Sequence, residues 1–135
     1  MKLSQNTAHL KLGPIYPSYA LAYYFCGNAK SELSRFEDAI IDYDAAIKLG
    51  LLNYDLYFDR GMARSKIGLY IEAIQDFNEA VNLNPNNADI YDNRGYVKYA
   101  TQDYAGAIKD YGTAIELNPR YVSIYNERGK KNILH

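Results

Sequence analysis

The chain has 135 residues, 48% of them apolar and 23% charged, with a formal net charge of -1. That balance excludes a disordered chain, and it lacks the basic excess with which a nucleic-acid binder displaces counterions. Cys26 stands alone, so no intramolecular disulfide forms, and no run reaches transmembrane length. A soluble, cytoplasmic protein with no nucleic-acid or membrane partner is the expectation.

Residues 1–16 carry little pattern. Leu3, Leu10 and Leu12 make at most a weak helix, which Gly13-Pro14 ends, and Pro17 follows closely. From Ala20 onward the sequence repeats with a fixed period: 20–53, 54–87 and 88–121 align, and 122–135 begins a fourth copy and stops. The expected organisation is a cover or tail over 1–19, three units at those bounds, and a capping helix over 122–135.

Within each unit two stretches carry apolar residues at three-four spacing. They predict first helices over about 20–33, 54–67 and 88–101, and second helices over about 37–49, 71–83 and 105–117. Asn84-Pro85 and Asn118-Pro119 close the later units, because the residue before proline is pushed out of helical geometry. In the first unit Gly50 is expected to end the helix in a left-handed conformation. Short breaks make antiparallel hairpins.

The recurring columns have packing explanations. Gly27, Gly61, Gly95 and Gly129 recur where a side chain would hold two helices apart. Ala39, Ala73 and Ala107, with Ala46, Ala80 and Ala114, are further small columns, and the large rings opposite them, Tyr43, Phe77 and Tyr111 among them, are expected to fill the space they leave. Tyr23, Tyr57, Tyr91 and Tyr125, with Phe36, Tyr70 and Tyr104, supply further rings. Ile40, Ile74 and Ile108, with Leu49, Leu83 and Leu117, are expected to complete the buried stripe.

This order of aromatic, glycine, aromatic, alanine, aromatic and alanine once per period, with a closing proline in the second and third units and Leu51 at that place in the first, resembles the tetratricopeptide repeat family. The resemblance implies an all-α fold: a right-handed superhelical solenoid of antiparallel helix pairs, three full units plus a C-terminal half unit. It also implies a concave groove lined by the first helices. One departure stands out. Where the family has a large apolar residue before the glycine, this chain has Arg60, Arg94 and Arg128, and Cys26 in the first unit. Asp42, Asp76 and Asp110 form a second charged column. Pairing within a unit, Arg60 with Asp76 and Arg94 with Asp110, leaves Asp42 and Arg128 alone, whereas pairing Asp42 with Arg60, Asp76 with Arg94 and Asp110 with Arg128, all at one constant separation, leaves no orphan. The expectation is therefore ion pairs between units that set the stacking register, since a charge beside a packed interface is costly unless paired.

No other chemistry emerges. His9 and His135 have no ligand-spaced neighbours, the glycines are too far apart to cradle phosphate, and no nucleophile has a base and acid to match. No enzyme, no metal and no cofactor is the reading. The family's geometry makes Tyr24, Asn28, Phe58, Met62, Asp92, Tyr96, Asn126 and Lys130 groove-facing, with Ser31, Ser65 and Tyr99 adjacent. That mix suits a peptide with apolar anchors and a polar-held backbone; equally, Tyr24, Phe58 and Tyr96 could pack only against each other. A subgroup of the family clamps acidic chaperone tails with Lys, Asn and Arg. Here those places hold Tyr24, Asn28, Asp59, Asp89 and Asn93, and only Asn28 matches. A frame one unit later gives Phe58, Met62, Asn93, Ser123 and Glu127, no better.

The reading is a non-catalytic scaffold for a protein or peptide partner. The alternative is a self-assembly module, or part of a longer array, associating through the apolar first helix, Ala20 to Cys26.

Overall fold

The computed structural model describes residues 17–120. They form six helices: α1 (Pro17–Glu32), α2 (Phe36–Lys48), α3 (Tyr54–Lys66), α4 (Tyr70–Leu83), α5 (Ala88–Ala100) and α6 (Tyr104–Leu117). Helix α1 starts ahead of the expected bound at Ala20, with Pro17 as its first residue. Proline is tolerated there because the amide it lacks would have no intrahelical partner. Asn53, Asn87 and Asp103 cap α3, α5 and α6 by accepting from the amides of Leu56, Asp89 and Gly106.

The helices pair as α1 with α2, α3 with α4 and α5 with α6, and each hairpin leans on the next through its second helix. The three turns inside the hairpins share one geometry. Ser34, Gly68 and Gln102 adopt φ of 60°, 83° and 70°, and the residue after each donates back to the carbonyl of Lys30, Arg64 or Lys98. Gly50 at φ 96° ends α2 in the same way, as expected. Asn84 and Asn118, before their prolines, are extended at φ -147°.

Inside each hairpin the glycine column brings the first helix onto a ring of the second. A Cβ on Gly27, Gly61 or Gly95 would lie 2.6, 2.9 or 3.1 Å from the ring of Tyr43, Phe77 or Tyr111. The alanine columns Ala39, Ala73, Ala107 and Ala46, Ala80, Ala114 are buried as expected. Part of the expected stripe is not. Ile108 is 73% exposed, and Leu83 and Leu117 lie near the surface. The layer between hairpins is made instead by Leu56 and Ala63 on α3, and Ile90 and Val97 on α5, all buried. Tyr57 and Tyr91 do not fill space beside the glycines; Arg60 and Arg94 lie over their rings at 5.8 and 5.4 Å.

The ion pairs also differ from expectation. Arg60 holds Asp76 through two bonds, 3.0 and 2.7 Å, and Arg94 holds Asp110 at 2.8 and 2.7 Å. Both pairs lie within a hairpin, not between units. Asp42 takes Lys30 at 2.8 Å rather than Arg60. The pairing of Asp110 with Arg128 falls outside the described residues. The reason is geometric: in an antiparallel hairpin the second helix turns its aspartate toward the first helix of its own unit. The link between hairpins is present, made by another residue. The remaining arm of Arg60 reaches Asp44 on α2, 2.7 Å away, and that of Arg94 reaches Asn78 on α4, 2.8 Å away. Each arginine thus has one partner in the hairpin before it and one in its own. Arg64 and Lys98 complete the pairing of Asp76 and Asp110, as Lys30 does for Asp42.

Candidate functional site: the concave groove

The first helices line one side of the stack, and between the first two hairpins that side opens into a concavity of about 610 Å³. Its walls include Asn28, Ser31, Phe58, Asp59 and Met62, with Phe36 and Tyr43 beneath. Helical spacing explains the set: residues three or four apart share a face. The concavity brings together four of the expected residues, Asn28, Phe58, Met62 and Ser31.

Tyr24 stands differently from expectation. Only 9% exposed, it packs on Tyr43 with ring centroids 6.1 Å apart, and its hydroxyl donates to Asp59 Oδ2 at 2.6 Å. It is a wall between hairpins rather than an open anchor. Phe58 likewise leans on Phe77, 5.7 Å away, while keeping an edge in the concavity. The two readings of these rings therefore divide by residue: Tyr24 packs, Phe58 does both, and Tyr96 is 44% exposed. Tyr99 turns toward Tyr104, its ring edge-on at 5.4 Å. Asn126 and Lys130 lie outside the described residues.

Sequence reasoning missed two groups. Asp59 is legible as polar where α1 has Phe25, but its bond to Tyr24 needs the superhelical stagger of two hairpins. The floor of the groove is hydroxylic: the Tyr43 hydroxyl donates to Asn28 Oδ1 at 2.8 Å and lies 3.1 Å from Ser31 Oγ. Burial pushes that phenol up to about 12. In the second hairpin Phe77 carries no hydroxyl; in the third, the Tyr111 hydroxyl is buried with no partner among the described residues.

Asp92 takes the place of Tyr24 and Phe58 in the third hairpin. Half-buried, its carboxyl is raised to about 6, first by burial and then by Asp89 one turn away. Asp59 is raised too, by burial above all, against the bond from Tyr24, which lowers it. Among the described residues no group of three or more His, Cys, Asp or Glu is placed to hold a metal, and no helix is long and apolar enough to cross a membrane.

A regular stack of helical hairpins with an open inner face defines a solenoid of protein-interaction type. A family model described as TPR repeat matches residues 66–102 and 95–131. The first TPR domain of the human RPAP3 protein is 30% identical, with a TM-score of 0.71, covering 76% of this chain and 81% of that one. The first TPR of Spaghetti (RPAP3), bound to the HSP90 peptide SRMEEVD, is 29% identical with a TM-score of 0.72, covering 76% and 82%. The Arabidopsis OM64 TPR domain is 26% identical with a TM-score of 0.73, covering 76% and 85%. Comparison with curated protein sequences returns no match. The chain belongs to the tetratricopeptide repeat family, and its fold is that family's right-handed superhelical solenoid.

Proposed function

We propose that the chain is a non-catalytic interaction scaffold that takes an extended segment of a partner protein along the groove. The observation that carries this is the concavity between the first two hairpins, where an apolar edge of Phe58 and Met62 faces the amide of Asn28 and the hydroxyl of Ser31. Apolar pockets flanked by fixed polar groups hold alternate side chains and the backbone of a peptide. The peptide-bound relative of the same fold supports the reading.

The acidic tail itself is a poor candidate. The peptide SRMEEVD carries three carboxylate side chains. Here the corresponding clamp places include Asp59 and Asp89, and the hydroxyl of Tyr24 is already given to Asp59. Like charges at a binding face repel. Titration with that peptide is expected to give no binding.

The reading is tested by following backbone amide resonances of the full chain as a peptide selected from a synthetic array is added. Shifts along Asn28, Phe58, Met62 and Tyr96 are expected. Shifts confined to the outer faces of α2, α4 and α6 would overturn the groove as the site.

A second reading, self-assembly through α1, is favoured by a specific feature. Where α3 and α5 bury Leu56 and Ile90 under the preceding hairpin, α1 has Ala22, exposed, in an apolar hollow of about 330 Å³ with Tyr19, Tyr23 and Cys26. The chemistry that fits it is the second helix of another hairpin. Sedimentation of the full chain against Ala22→Glu tests this; a wild-type mass that stays monomeric at every concentration removes it.

A further inference from the structure

The charges of the three first helices are sorted by side. Lys30, Arg60, Arg64, Arg94 and Lys98 all turn toward the second helices, where Asp42, Asp44, Asp76 and Asp110 take them. Among the described first-helix cations only Lys66 lines the concavity. The carboxylates of the same helices show the opposite preference. Asp59 lines the concavity, and Asp92 holds the corresponding inner face of the third hairpin. Among the described residues neither has a lysine or arginine in ion-pair contact. Asp55 lies on the same helix one turn before Asp59 and adds to its negative surroundings. The chain's near-neutral total therefore hides a groove predominantly of one sign, because the described first-helix cations other than Lys66 are engaged inside the hairpins.

From this sorting we infer that the segment bound in the groove is cationic, with lysine or arginine side chains facing Asp59 and Asp92 and apolar residues beside Phe58 and Met62. The inference rests on the groove reading above and names its partner's chemistry. Charge complementarity selects such a segment: a groove lined by one sign attracts the opposite charge and rejects its own. Two half-buried carboxylates without a cation are unfavourable alone and become favourable once a guanidinium or ammonium is brought to them. Tyr24 holds the Asp59 carboxylate in a fixed orientation through its 2.6 Å bond, so little ordering remains for the ligand to impose.

The test uses the full chain and an array of short synthetic peptides with fixed Leu and Phe anchors. The other positions are filled with Lys and Arg, with Gln and Ser, or with Glu and Asp. Selection of the Lys and Arg set is expected. Asp59→Asn with Asp92→Asn should weaken it by about tenfold or more, with helicity unchanged. Raising the salt from about 0.01 M to about 1 M, which cuts the screening length from about 30 to about 3 Å, should weaken it too. Replacing lysine by glutamine in the selected peptide gives the same readout with no change to the protein. Binding that ignores peptide charge, or prefers the acidic set, overturns the cationic partner and leaves the groove standing. No binding by any set overturns the groove reading itself.

Discussion

In the second and third hairpins one arginine reaches two neighbours at once; in the first hairpin Cys26 stands at that place. The aspartate it would serve, Asp42, is held by Lys30 alone among the described residues, and no described helix precedes α1 for a second arm to reach. Asp76 and Asp110, by contrast, are each held by two cations and are 2% exposed. The arginine therefore belongs to the joint between hairpins, and the unit without a preceding described hairpin lacks it. A buried carboxylate is tolerable only while its partners stay.

The largest effect expected follows directly. Arg60→Ala removes the bidentate hold on Asp76, the arm to Asp44 and the ring contact with Tyr57 together. Breaking a buried pair costs about 3–5 kcal/mol when nothing else compensates. Arg64 remains beside Asp76, so about 2–3 kcal/mol is expected in urea unfolding. Cys26→Ala, on an exposed position, should stay within about 0.5 kcal/mol. Equal losses at the two places would show that the arginine is an ordinary surface charge and that the comparison fails.

The sequence announced much of this and misassigned part of it. The repeat period, the six helices, the glycine and alanine columns and the turn at Gly50 were legible because each follows from local spacing. The partners of the aspartates were not, because an orphan count cannot say which way a helix face points. The basic column Lys30, Arg64 and Lys98 precedes the three aspartates at one constant spacing, and it would have indicated pairing within the hairpin. The inter-hairpin layer was missed for a related reason. Leu56 and Ile90 have only Ala22 in the first unit, so the column looks broken until one sees that no described hairpin is stacked over α1. At the groove, spacing indicated the face but not the depth, which is why Tyr24 looked like an anchor and is a wall.

Next in size are the glycines, which grade the closeness of the hairpins. Alanine at Gly27 would put its Cβ 2.6 Å from the Tyr43 ring, tighter than the 2.9 Å at Gly61 or the 3.1 Å at Gly95. Overpacking costs about 1–3 kcal/mol, offset by about 0.5–1 kcal/mol of helix preference for alanine over glycine. Gly27→Ala should therefore lose the most and Gly95→Ala least, close to neutral. The reverse order in thermal unfolding would mean that the first hairpin is the looser one.

The pH response separates the third hairpin from the second. Burial first and then Asp89 push Asp92 up to about 6, above the ordinary aspartate value of 3.8, and among the described residues Asp89 on its own helix and Tyr111 on α6 are its titratable neighbours. A raised folded value means the folded chain holds the proton more firmly than the unfolded chain does. Asp92 is therefore most compatible with folding at low pH and loses that contribution as pH rises from about 4 through 6. A cationic ligand needs the opposite form, so its affinity should climb by up to about tenfold between about pH 5 and about pH 7. In Asp92→Asn both slopes should flatten, and the variant should be the more stable at neutral pH. A slope that survives the substitution assigns the titration to another group.

The smallest effect is at the hairpin turns, where the three units can be compared at one backbone position. Gly68 takes φ 83° without penalty, and a Cβ there would meet nothing within 4 Å. Ser34 and Gln102 take nearly the same conformation with a side chain attached. Left-handed backbone costs a non-glycine residue about 1–2 kcal/mol, whereas glycine loses about 0.5–1 kcal/mol more chain freedom on folding. Ser34→Gly and Gln102→Gly should each stabilise by under about 1 kcal/mol, and Gly68→Gln should lose a similar amount. The exchange isolates backbone strain, because the donors of Ser34, Gly68 and Gln102 and of the residues after them already meet the corresponding carbonyls in all three turns. If Gly68→Gln proves neutral while Gln102→Gly stabilises, the second turn differs from its neighbours in something other than φ, and the three hairpins are less alike than their backbones.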